Sequence, residues 1–190
     1  MLGFEKLGTP PEFNQKVLLE VDGDVELHQA QQSGYDAGDL QSFHTQHTLP
    51  IVVEDAFKEL FGEVKMHEAG PAIETDIPDV PAIFEVRLVD IFNDNTNTAA
   101  QSYRGEVTLA VAMKSPRGNV FWEQTFRGEG YVQVNPQFPE STGPNDAVND
   151  ALRDALGQMQ QAIIASPQVR LQMQHYQEID RARRAKETQV

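Results

Sequence analysis

Five histidines are the first residues in this 190-residue chain that could do chemistry: His28, His44, His47, His67 and His175. His44 and His47 sit in "FHTQH", with His28 upstream. Two imidazoles and a carboxylate would hold Zn²⁺. Histidines three apart share a face only on a helix, and "HQAQQSGYDAGDLQSFHTQHT" is polar, contains glycine and reads as a long loop. There is no HExxH and no cysteine to complete a ligand set. Loop histidines without a metal are therefore the expectation. Two oxygen-rich stretches, "DGDVE" (Asp22 to Glu26) and "NDNTN" (Asn93 to Asn97), raise Ca²⁺. An EF-hand loop needs glycine at its sixth position and glutamate at its twelfth. Those places fall on Leu27 and Ser33 in one frame, and on Thr98 and Arg104 in the other. Turn chemistry is the better account of both.

Phosphate cradles and nucleophile elbows are also missing. "RGEG" (Arg127 to Gly130) lies inside a strand pattern and not between a strand and a helix. Gly128 and Gly130 then mark a bulge or a place where another backbone comes close. No G-x-S-x-G occurs. The lone Trp122 sits on the apolar parity of its segment and reads as core or helix packing. The catalytic, metal and cofactor-binding sets expected from the sequence are all empty, and the chain reads as a non-enzyme.

Composition narrows the partners. The net charge is −14 and uneven: residues 1–80 hold 16 acidic against 4 basic side chains, and residues 81–190 hold 13 against 11. An acidic front half repels phosphate backbones, so nucleic acid is not an expected partner. It also disfavours adsorption to anionic headgroups. No run of eighteen apolar residues occurs. "MLGFEKLGTPPEF" has neither a basic n-region nor an apolar h-region. A cytoplasmic protein fits that start, and so does a mature chain cut after an acylated cysteine. The absence of cysteine excludes disulfides and thiolate chemistry.

The elements that would position any site come in a clear order. Residues 1–15, with two prolines and two glycines, read as a loose surface segment. "KVLLEVDGDVEL" (Lys16 to Leu27) reads as a hairpin turning at Asp22-Gly23. "LPIVVEDAFKELFGEV" reads as a helix with Thr48 as N-cap, Pro50 in its first turn and Gly62 as C-cap. Glu63 to Glu68 then returns as a short strand, and Ala82 to Asp94 forms a long one. Asn93 to Ser102 turns or extends as a polar loop.

The most regular text is "YRGEVTLAVAMKSPRGNVFWEQTFRGEGYVQV", Tyr103 to Val134. Val107, Leu109, Val111 and Met113 share one parity, as do Val120, Trp122, Phe126, Val132 and Val134 after the turn. Phe121, Glu123, Thr125, Arg127, Glu129 and Tyr131 take the other. Such a ribbon needs one helical cover. "DAVNDALRDALGQMQQAIIAS" supplies it, with a stripe of Val148, Ala151, Leu152, Ala155, Met159, Ala162 and Ile163. Ser166-Pro167 restarts a more polar helix, serine as N-cap and proline at its first position.

The fold class expected is α+β. An antiparallel or mixed sheet of about four to five strands carries two helices on one face, with a C-terminal helical extension. The chain divides into an N-terminal strand and loop region (1–47), an α+β sandwich core (48–165) and the extension (166–190). If helices cover the ribbon, Val107, Leu109, Val111, Trp122 and Phe126 must be buried with Phe57, Leu152 and Leu156.

Across about residues 48–170 the layout resembles small bacterial envelope lipoproteins. It is similar to the YajG-like lipoproteins and, more loosely, to the LPS-assembly lipoprotein LptE and ABC-transport auxiliary lipoproteins. The residues that carry the resemblance are "LPIVVEDAFKELFGEVKM", the meander "PAIFEVRLVDI" with "YRGEVTLAVAMKSPRGNVFWEQTFRGEG", and the closing helix "NDAVNDALRDALGQMQQAIIASPQVR". The resemblance implies a periplasmic domain, outer-membrane anchored through a lipidated cysteine that this chain lacks. Its partner would be an envelope protein in cell-envelope assembly or lipid transport. No functional residue carries over. Two other roles remain open: a subunit of a larger secretion or motility assembly docking through the C-terminal helix, and an enzyme whose site would gather carboxylates or His44 and His47 in a pocket.

Overall fold

The computed structural model describes residues 11–23, 28–29, 45–67, 79–97, 102–133 and 143–187. The elements are β1 (Phe13–Asp22), β2 (His28–Gln29), α1 (Thr45–Lys58), β3 (Phe61–Met66), β4 (Ile83–Asn97), β5 (Ser102–Lys114), β6 (Val120–Gln133), α2 (Pro144–Ala165) and α3 (Pro167–Glu187). The sheet order is β3-β1-β4-β5-β6, with the short β2 also on β4. This is the expected mixed α+β sheet, with helices packed on one face and a C-terminal helix beyond them.

Its two halves are joined differently. β1, α1 and β3 make a parallel crossover unit, in which Val17 pairs with Val64. β1 is also parallel to β4, where Leu19 faces Phe84. Strands flanked on both sides and covered bury consecutive residues, as Val17, Leu18 and Leu19 do. β4, β5 and β6 form an antiparallel meander, in register from Ile83–Lys114 to Asn97–Ser102 and from Ser102–Gln133 to Lys114–Val120. Extra residues interrupt it at Val89, Thr96 and Phe121.

The proposed burial set holds together. Val107, Leu109, Val111, Phe126, Phe57, Leu152 and Leu156 lie in one buried cluster, and Trp122 packs against it partly buried. Four phenylalanines close its β3 end. Phe13 stacks on Phe61 at 5.2 Å, Phe57 meets Phe84 edge-on at 5.1 Å, and Phe61 meets Phe84 at 5.2 Å. Aromatic pairs at such separations gain about 0.5–1.5 kcal/mol each beyond area burial.

Five local expectations are corrected. β1 and β2 do not form a hairpin at Asp22-Gly23. Both run parallel to β4, β1 along Ile83–Arg87 and β2 along Phe92–Asn93, so the chain keeps its direction. The strand also starts earlier than Lys16, because Phe13 has an aromatic slot against Phe61. α1 begins at Thr45 and not after a Thr48 cap, with Pro50 inside it. Three polar residues add that turn, and apolar spacing cannot signal it. Gly62 is no C-cap: α1 closes with the Leu60 N–H donating to the Phe57 carbonyl at 3.0 Å, and Gly62 already lies in β3. Finally, Asn93–Asn97 is not a turn. It continues β4, with Asp94 opposite Arg104 and Asn97 opposite Ser102.

Candidate interaction surface on the ribbon

Successive residues of a strand point to opposite faces, so β5 and β6 carry two surfaces. The inner one is set by size. Gly105 and Gly130 face each other, and Gly128 lies opposite Val107. α2 crosses here on Ala147, Ala151 and Ala155, all fully buried. A Cβ on Gly130 would stand 2.6 Å from the Ala151 nitrogen, and one on Gly105 would stand 2.6 Å from the Val148 nitrogen. One on Gly128 would fall inside the Ala151 carbonyl. "RGEG" is therefore a close helix-to-strand approach, which decides between the two accounts of its glycines.

The outer surface is set by charge. Glu106 and Glu129 are directly opposite, an arrangement that repels unless cations flank it. Arg104 flanks both: its Nη2 lies 2.8 Å from Glu106 Oε1 and 3.1 Å from Glu129 Oε1. Arg127 pairs with the other Glu106 oxygen. Only 8% of Glu106 is exposed, so both its oxygens need these partners. Further along the face Lys114 pairs with Glu85 across the strands.

Around this network the outward residues of β6 are open. Glu123, Thr125, Arg127, Glu129 and Tyr131 are all exposed, Tyr131 to 62% and Phe121 to 40%. Val120, expected on the core parity, is exposed instead. The extra residue Phe121 sets Val120 opposite Lys114, which belongs to the outer face.

The residues weighed for metal chemistry do not assemble. His28 lies in β2, His47 falls in the first turn of α1, His67 follows β3, and His175 is exposed on α3. His44 and residues 24–26 of "DGDVE" are outside the described residues. Among the described residues no three His, Asp or Glu side chains form a group that could hold a metal ion. Nor is any described helix long and apolar enough to cross a membrane.

Sequence reasoning missed how α3 is held. The Ser166 cap forms as expected, the Val169 N–H donating to Ser166 Oγ at 3.3 Å. Beyond Met173, however, the helix is tethered by one acid. Tyr176 Oη donates to the Asp79 carbonyl at 2.9 Å, and Arg183 Nη1 reaches Asp79 Oδ1 at 2.8 Å. Partial burial, and next the hydrogen bond to Asp79, push the Tyr176 hydroxyl above its ordinary pKa. Nothing in the sequence marks Asp79, because its partners lie about a hundred residues away.

No protein-family model matches this chain, and no curated protein matches it. Solved structures resemble it across most of its length. Protein XCC0632 from Xanthomonas campestris is 15% identical over 81% of this chain and 84% of its own, with a TM-score of 0.45. A minor lipoprotein from Acinetobacter baumannii is 13% identical over 84% and 95%, with a TM-score of 0.36. Lipoprotein GNA1162 from Neisseria meningitidis is 9% identical over 79% and 95%, with a TM-score of 0.38. These are resemblances of chain path at low identity and carry no functional assignment.

Proposed function

We propose that this chain is a non-catalytic periplasmic domain of the envelope-lipoprotein type that docks a protein partner on the outer face of the β5–β6 ribbon. The partner belongs to cell-envelope assembly or lipid transport. The observation that carries the docking role is the division of the ribbon. One face is committed to α2 through glycine and alanine. The other presents Phe121, Tyr131 and a mixed-charge ladder to solvent. Aromatic rings at the two ends of a patterned polar face suit a non-obligate protein interface, where aromatic and arginine side chains are enriched. The compartment rests on the sequence resemblance to envelope lipoproteins.

Co-purification from membranes tests the role. Phe121→Ala with Tyr131→Ala should lose a partner that the wild-type chain retains, with folding unchanged. Retention of that partner by the double variant contradicts the proposal. A second reading, a subunit of a larger assembly docking through α3, is favoured by one observation. Leu171 and Ile179 on that helix are exposed, Leu171 to 65%. Loss of a ring- or channel-forming partner in Leu171→Glu with Ile179→Glu, but not in the Phe121→Ala, Tyr131→Ala variant, would favour it.

A further inference from the structure

We propose that β6 accepts an extended, basic segment of another protein as an added strand, in a short window at Glu123 and Thr125. This deepens the docking role above and rests on it, by naming one edge and one partner chemistry. β6 ends the sheet, and among the described residues no strand lies beyond it. Its far edge is not uniformly open. The Glu129 N–H donates to Asp154 Oδ2 at 3.1 Å, and the Arg127 carbonyl accepts from Gln158 Nε2 at 3.0 Å. Gln158 Nε2 also donates to Asp154 Oδ2 at 3.0 Å. Two side chains one turn apart on α2 thus stand where the backbone of a neighbouring strand would stand.

In an antiparallel ladder both main-chain groups of a residue point the same way, and the direction alternates. Arg127 and Glu129 point away from β5, so Thr125 and Glu123 do too. No α2 side chain among the described residues bonds to either. On the other side the window ends at the extra residue Phe121. The side chains around it are exposed on both faces of the sheet: Val120, Phe121, Glu123, Gln124 and Thr125. Two outward residues offer two N–H and two carbonyl groups, enough to seat a short strand.

Charge selects the occupant. Glu123 has no ionic partner among the described residues, and the chain as a whole carries −14. A strand with lysine or arginine opposite Glu123 is drawn by the field and paired at contact. β-formers on the same strand would lie along Phe121 and Val120. A second copy fits poorly. The antiparallel register that gives Glu123 a cation sets it opposite the Arg127 of the copy, whose edge Gln158 closes. Registers confined to the window set Glu123 opposite Thr125, Phe121 or itself, and two chains of −14 repel.

The test uses the full chain and two acetylated, amidated hexapeptides, one alternating lysine with valine and one alternating glutamate with valine. Trp122, the single tryptophan, reports binding by fluorescence, and amide exchange reports where the strand lies. The lysine peptide should bind about tenfold tighter or more and protect the Glu123 and Thr125 amides. Glu123→Lys should reverse the preference. Thr125→Pro should cost about tenfold, because it removes an outward N–H and spares the β5 ladder. A backbone N-methylated lysine peptide should lose as much, whether or not the proline variant folds. Equal binding of the methylated peptide would overturn the proposal as mere charge attraction. So would lysine-peptide binding that leaves both amides unprotected, or a wild-type dimer that protects them. None of these results removes a partner from Tyr131, so the outer-face role stands or falls separately.

Discussion

The inner and outer faces of the β5–β6 ribbon are made of alternate residues of the same two strands, yet they obey different rules. On the inner face the requirement is space. Gly105, Gly128 and Gly130 let Ala147, Ala151 and Ala155 bring a helix backbone against a strand backbone. On the outer face the requirement is compensation. Two glutamates held opposite each other depend on two arginines, and the residues around them stay exposed. Packing tolerates almost no change in shape, whereas exposed ion pairs are each worth little and can be exchanged. A strand pair can therefore hold a fold with one set of side chains and leave the other set free for recognition.

The sharpest way to break the comparison is to add atoms on the inner side. Gly128→Val forces side-chain carbons into the Ala151 carbonyl, and should cost about 4 kcal/mol or leave the chain unfolded in chemical denaturation. Leu152→Ala, in the same interface, should cost about 2–4 kcal/mol by the cavity it leaves. If either substitution is silent, α2 does not cover the ribbon.

On the outer side the effects should be smaller and of another kind. Glu106→Gln keeps the shape and removes the charge that pairs Arg104 and Arg127. It should cost about 1–2 kcal/mol, and the cost should shrink in high salt. Tyr131→Ala should change stability by no more than about 0.5 kcal/mol while removing the partner. The tether of α3 gives a pH signature. Because the folded-state pKa of Tyr176 is raised above the ordinary 10.0, its stabilisation is complete below pH 10 and is lost as pH rises through the raised value. Tyr176→Phe should abolish that alkaline loss at a cost of about 1 kcal/mol, because it deletes the hydrogen bond to Asp79.

The meander and α2 were legible because they rest on local periodicity, period 2 from Val107 to Val134 and an apolar stripe on the helix. The glycines of "RGEG" were half legible. Their place in a strand pattern left a bulge or a close approach, and only the position of α2 decides between them. What failed depended on distant partners. Phe13 looked like loop until Phe61 stood beside it. Asp22-Gly23 looked like a hairpin because the β4 track that keeps the chain straight lies 65 residues away. The interaction surface was legible as a parity, but the closing of its edge by Asp154 and Gln158 was not. Those two residues read as the polar face of an ordinary helix.

The most direct test of the docking claim places a photo-crosslinking residue at Tyr131 on the ribbon's outer face, and another at the exposed Asp55 on α1. Both are irradiated in the native envelope, with and without Arg127→Glu. The outer-face role predicts one adduct of discrete mass from Tyr131, absent from Asp55 and abolished by the charge reversal. No discrete adduct from Tyr131, or the same adduct from Asp55, would contradict it.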